Sequence, residues 1–133
     1  MSVLGEELKL MAFEAPHMGI PDGIPDGSAF SAREMDQDGR FVEVFLDVRG
    51  GKVVRAGFLT DIAVEGVLCA SLWCGAASGA CVEAAVAVSA HDLLVRFPAG
   101  YPPPLAAARA CVRAGRAALA KAGQDSPWPG ARD

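Results

Sequence analysis

The feature that most restricts this chain is a pair of β-patterned runs joined by two glycines. Residues 41–48 alternate so that Val42, Val44, Leu46 and Val48 share one face, with Phe41, Glu43, Phe45 and Asp47 on the other. A period of two with this density of Val and Phe predicts a strand. Gly50-Gly51 then offers two residues free to take positive φ, and Lys52 to Leu59 returns as the partner, so a tight hairpin is expected. The aliphatic face from Val42 to Val48 should look into the core, with Glu43 and Asp47 looking outward. A hairpin with one apolar face needs something laid over it, and the rest of the chain supplies helices.

From Glu65 the period lengthens. Leu68, Leu72 and Ala76, with the small residues Ser71 and Gly75 among them, predict a helix able to pack close to a sheet, broken at Gly79. Val82 to Val88 reads as a short second helix. Ser89 caps a further turn, with Asp92 in the third position of a capping box. Pro98 to Pro104 forms a rigid crossing. Leu105 to Ala122 is the strongest helix, alanine-rich, with Arg109, Arg113, Arg116 and Lys121 along it and Gly123 as its stop. Those four basic groups read as a solvated face rather than a binding patch. Ahead of the hairpin, Leu4, Leu8, Met11 and Ala12 recur at helical spacing, and Pro16 ends that run. A tandem Ile-Pro-Asp-Gly at 20–27 signals turns, since proline presets φ and glycine accepts a positive one. The order of helix, hairpin and then helices favours an α+β architecture, a small antiparallel sheet with helices packed on one face.

Composition sets the outer bounds. A chain of 133 residues that is 52% hydrophobic can bury one core, so residues 1–123 are expected to form a single domain and 124–133 a flexible tail. The net charge of −4 offers no general attraction to nucleic acid or to an anionic membrane surface. Glu65, Glu83, His91 and Arg96 interrupt the apolar stretches, leaving none near the roughly 20 residues that span a bilayer. With Glu6 and Glu7 so early, no secretory leader is read, and a cytoplasmic protein is expected.

The four cysteines, Cys69, Cys74, Cys81 and Cys111, lack the close pairing of a structural zinc site. Cys69 and Cys74 are separated by about 140° around a helix, and Gly79 stands between Cys74 and Cys81. Each reads first as a small buried hydrophobe, as Trp73 reads as core. His17 and His91 lie near no distinctive nucleophile, and Gly50-Gly51 lacks the residues of a phosphate-binding loop.

Taken in order, several segments resemble the iron–sulfur cluster assembly scaffold family of the IscU and NifU N-terminal type. Ala15-Pro16-His17-Met18-Gly19 resembles the family's Asn-Pro-Arg-Asn-x-Gly element after its first helix. The hairpin through Phe58-Leu59-Thr60 is similar to its strand–turn–strand ending in Phe-Lys-Thr. Cys69-Ala70-Ser71 is similar to Ala-Ser-Ser, Gly79-Ala80-Cys81-Val82-Glu83-Ala84 to Gly-Lys-x-x-x-Glu-Ala, and Leu105-Ala106 to the start of the family's last helix. The resemblance implies a sheet of about three strands packed against helices. It also implies a [2Fe–2S] cluster assembled on three cysteines, sulfur received from a cysteine desulfurase, and delivery to acceptor proteins.

The ligand positions depart from that pattern. Asp38, in Gln37-Asp38-Gly39-Arg40, takes the place of the first cysteine, Ala63 the second, and Pro102 the third. Cluster iron binds thiolate by preference, and alanine and proline have no donor atom. Asp38 alone offers an oxygen. A relocated site on Cys69, Cys74 and Cys81 is the alternative way to hold a cluster. Three functions therefore stand as expectations: a non-standard scaffold-like protein of iron–sulfur biogenesis, a metal-free interaction or regulatory module of the same fold, or a thiol-dependent enzyme using Cys69 or Cys74. A non-enzymatic role is preferred.

Overall fold

The computed structural model describes residues 17–124. The helix expected over 3–13 and most of the tail expected over 124–133 lie outside the described residues. Three strands come first: β1 (Ala29–Met35), β2 (Phe41–Arg49) and β3 (Lys52–Thr60), forming one antiparallel sheet in the order β1-β2-β3. Four helices follow: α1 (Val64–Ala77), α2 (Val82–Ala87), α3 (Ala90–Leu94) and α4 (Leu105–Gln124).

The expected hairpin is present. Gly50 and Gly51 both take positive φ, 59° and 75°, the conformation that matches a two-residue turn to the twist of its strands. Pairing shifts between Asp47 and Val48, which face Arg55 and Val53, so Val54 is the extra residue of a β-bulge. Val42, Val44 and Leu46 are fully buried, as their alternation requires. β1 was not evident from its residues, because Ala-Phe-Ser-Ala-Arg-Glu-Met carries little β-branched or aliphatic signal. It is a strand because β2 pairs with it in register and its turn is locked. Asp36 Oδ1 accepts the N–H groups of Asp38 and Arg40 at 2.8 and 3.0 Å, and Gly39 takes φ 80°.

The two long helices cover the sheet, α4 across β1 and β2 and α1 across β3; α2 touches β3, and α3 packs on α1 and α4. α1 buries Gly66, Cys69, Ala70, Trp73, Cys74 and Ala77, a stripe at helical spacing. α4 meets it with Ala107, Ala108, Cys111, Ala114, Ala118 and Leu119. Trp73 is the largest fully buried side chain, and its ring lies where a Cβ on Gly115 would overlap it. Ser89 and Asp92 make the expected capping box, with Ser89 N–H donating to Asp92 Oδ2 at 2.8 Å and Asp92 N–H to Ser89 Oγ at 3.2 Å. The bond donated by the Ser89 backbone is the leading cause that holds the Asp92 carboxyl below its ordinary pKa. Gly123 does not stop α4; it keeps helical backbone and the helix runs on to Gln124.

The basic residues of α4 are exposed, but three of them are bonded rather than merely solvated. Arg113 Nη2 donates to Met35 O at 3.1 Å and Lys121 Nζ to Ser31 O at 2.6 Å, covering carbonyls on the outer edge of β1. Arg116 donates to Val86 O and Val88 O at 3.0 and 3.2 Å, where α2 ends. The opposite edge, on β3, is covered at its two ends. Phe58 N–H donates to His17 O and Gly19 N–H to Phe58 O, while Gly79 N–H donates to Val53 O and Val53 N–H to Ala80 O. Each edge thus has part of its backbone already engaged, which hinders strand addition.

Asp47 faces away from the helices, as expected, yet is fully buried. Arg49 grips it through two bonds of 2.9 and 2.7 Å, and Arg55, opposite it on β3, adds a longer contact of 3.5 Å. The hydrogen bonds from Arg49 hold its carboxyl below the usual aspartate pKa, outweighing the opposing effect of burial.

Two predictions follow from the packing. Gly115→Ala should destabilise the protein by about 1–3 kcal/mol, because overlap with the Trp73 ring exceeds the roughly 1 kcal/mol that alanine gains in a helix; urea unfolding midpoints measure this. Asp47 carries a lowered native pKa, so its contribution is present above about pH 4 and is lost as pH falls through the native value. Asp47→Asn should therefore lower stability at neutral pH and flatten the acid limb of the stability curve, read by thermal melts across pH.

Candidate functional site

Three segments meet at one end of the sheet. The first is the β1–β2 turn, which carries Asp38. The second is the junction from β3 to α1, where Ala63 occupies the N-cap. The third is the proline-rich crossing before α4, which carries Pro102. Direct hydrogen bonds tie them together. Phe41, just past the turn, donates its N–H to Asp61 Oδ1 at 2.7 Å, and Thr60 Oγ1 donates to Phe41 O at 2.7 Å. Thr60 Oγ1 also accepts the N–H of Ile62 at 3.0 Å, which shapes the entry into α1. On the other side, Tyr101 O–H donates to Glu65 Oε1 at 2.7 Å. The Tyr101 ring stacks on Phe97 at 5.7 Å and packs with Val64 and Val67 around Leu68. The bond to Glu65 holds the Tyr101 phenol protonated beyond its ordinary range.

Asp38, Ala63 and Pro102 are all exposed there. The donor set at the three positions is one carboxylate, one methyl and one pyrrolidine ring. A [2Fe–2S] cluster is held by thiolates, with imidazole as the usual substitute, so these residues do not fit one. The nearby acids are already engaged: Asp36 in its turn, Asp61 on Phe41 and Glu65 on Tyr101.

No thiol is exposed at that end. Cys69 and Cys74 project from α1 into the core and Cys111 from α4; all three are buried. Cys111 Sγ donates to Gly66 O at 3.8 Å, across the contact between the two helices. Burial pushes the Cys69 thiol up to about 12, with the Glu65 charge adding to it, and burial alone pushes Cys74 up to about 12. Cys111 is raised well above its ordinary value by the same cause. Cys81 is exposed, at the N-cap of α2 beyond Gly79. The structure therefore does not bring Cys69, Cys74 and Cys81 together. Two face the helix contact and the third faces solvent past the break at Gly79. Among the described residues no three His, Cys, Asp or Glu side chains form a group able to hold a metal ion. No helix among them is long and apolar enough to cross a membrane.

The sequence reading missed a cleft of about 360 Å³ beside β3, between the two segments that cover its edge. His17, Arg55 and Ser78 are its polar lining, with Met18, Ile20 and Val54 among the apolar walls. His17 has φ 70°, held by the bonds that join residues 17–19 to Phe58. A side chain at Gly75 would come within 3.8 Å of its Nε2, which places the imidazole over the last turns of α1. The available signal was an acid on the outward strand face with one arginine two residues on and another across the hairpin.

No family model matches the chain, and no curated protein matches it in sequence. Solved structures do match its fold: an α+β domain with a three-stranded antiparallel sheet covered on one face by helices. The crystal structure of a nitrogen-fixing NifU-like protein (N-terminal) from Brucella abortus superposes with a TM-score of 0.65 at 14% identity, covering 91% of this chain and 94% of that one. The crystal structure of a hypothetical protein gives 0.67 at 15%, covering 89% and 97%. The fold is accordingly NifU N-terminal-like.

The burial pattern predicts thiol reactivity. A disulfide reagent at mildly alkaline pH should titrate one thiol per folded chain, Cys81, and all four once the chain is unfolded in denaturant. Cys81→Ser should remove the native signal.

Proposed function

We propose that this chain is a scaffold-like protein of iron–sulfur biogenesis that works through its surface and carries no cluster of its own. The observation behind this reading is that this end exposes no thiol. The segments bearing Asp38, Ala63 and Pro102 are joined by protein hydrogen bonds where the resembling family carries its thiolates. Such an end is held in shape without metal, which suits a module that docks rather than one that loads and unloads a cluster. Its partners would be proteins that scaffolds of this kind meet, a cysteine desulfurase among them. The enzyme reading has little support, because three of the four thiols are buried and held protonated.

The test is iron, acid-labile sulfide and zinc analysis of anaerobically purified protein, before and after attempted cluster reconstitution. The expected result is substoichiometric metal and sulfide in both states, with the far-ultraviolet spectrum of a folded protein throughout. Stoichiometric iron and sulfide, lost on replacing Cys69, Cys74 or Cys81 with serine, would overturn the reading in favour of a relocated site. Co-migration with a cysteine desulfurase in gel filtration separates a pathway component from a module that kept only the fold.

A further inference from the structure

We propose that the cleft beside β3 binds small organic anions, with a carboxylate or phosphate-monoester head seated at Arg55 and a short apolar body lying along Met18, Ile20 and Val54. This inference is independent of the iron–sulfur reading and stands or falls separately from it.

The argument begins with a charge imbalance. Asp47 is buried beneath two guanidinium groups, and its short paired bonds go to Arg49. Among the described residues Arg55 receives one long contact, 3.5 Å from Nη2 to Asp47 Oδ2. One carboxylate thus serves two cations, and the second keeps donors that Asp47 does not use. Its side chain is 42% exposed, and it lines the cleft. A guanidinium with free donors recognises carboxylate and phosphate by paired hydrogen bonds.

The rest of the lining agrees with an anion. His17 is the other titratable group there, and no acidic side chain is among the described lining residues. Ser78 Oγ is buried and has no hydrogen-bond partner among the described residues. Ser78 is among the lining residues, and a buried hydroxyl gains by finding a partner. The walls are apolar, and Met18 and Ile20 are both more than half exposed, a waste of apolar surface unless something covers it. A volume of about 360 Å³ lies within the range of small-molecule sites. Positive φ at His17 adds a strained backbone position at the same place, a common companion of binding sites.

The test uses the full chain and three probes that share a six-carbon body: sodium hexanoate, hexyl phosphate and hexylammonium chloride. Amide chemical shifts are followed by NMR during each titration. Saturable shifts at Gly19, Val54, Arg55 and Gly79 are expected with at least one of the two anions and none with the ammonium ion. The tighter anion identifies the head group the site prefers. Arg55→Gln should weaken binding by about tenfold, the loss of one charge-assisted contact. Val54→Asp, at an exposed bulge position, should abolish binding by placing a like charge in the cleft, and it serves as the test if Arg55→Gln fails to fold. Absence of saturable shifts with both anions, equal binding of hexylammonium, or unchanged affinity in a folded variant would overturn the proposal.

Discussion

The contact between Trp73 and Gly115 sets the distance between α1 and α4, and much else depends on that distance. A flat indole ring with no side chain opposite it lets the two helices approach closely enough to seal one face of the sheet. Most of the other residues these two helices bury in the core are small, among them Ala70, Ala77, Ala108, Ala114, Ala118 and the three cysteines. Small side chains in a close-packed interior leave no space for water. That dryness raises the thiols of Cys69, Cys74 and Cys111 out of the reactive range. The same packing that builds the core therefore removes most of the chain's sulfur from chemistry.

At the end of the sheet the balance runs the other way. Loop ends that carry metal ligands can be organised by the metal they bind, because binding free energy is also folding free energy. Here the loops are organised by the chain itself, through Phe41 with Asp61 and Thr60, and through Tyr101 with Glu65. Aromatic stacking of Tyr101 on Phe97 adds an apolar anchor under the second of these bonds. An end so built is held in shape by the chain's own hydrogen bonds.

The sheet has only three strands and one covered face, an arrangement that exposes two edges and an outer surface. Long basic side chains from α4 reach over one edge to the carbonyls of Ser31 and Met35. The other edge is completed by two short pieces of chain, one before the sheet and one after α1. Because those pieces come from different places, they leave a gap between them, and the gap is the cleft. The buried Asp47 beneath it orients Arg55 at the gap's side. A device that protects a sheet edge thus also creates the cleft.

Local pattern alone determined the hairpin, the Ser89–Asp92 cap, the main helices and the α+β class. Each of these is written in neighbouring residues, through alternation, paired glycines or helical spacing. The absence of thiols at Asp38, Ala63 and Pro102, where the resemblance would put ligands, was equally legible, because it needs only the identities of those residues. Tertiary structure alone decided what became of β1, Asp47, the cysteines and the cleft. β1 is a strand because β2 offers it a ladder, a pairing between residues such as Ala32 and Val44 that local propensity does not encode. The α4 arginines and Lys121 looked like solvated charge because their acceptors, carbonyls such as Val86 O and Ser31 O, lie 30 and 90 residues away. Cys81 parts from Cys69 and Cys74 because the chain turns at Gly79 with positive φ, so one thiol meets solvent while its neighbours meet α4. Sequence specifies what each segment prefers to be; which groups share a cleft, a salt bridge or a dry contact is set by the distances at which those segments finally pack.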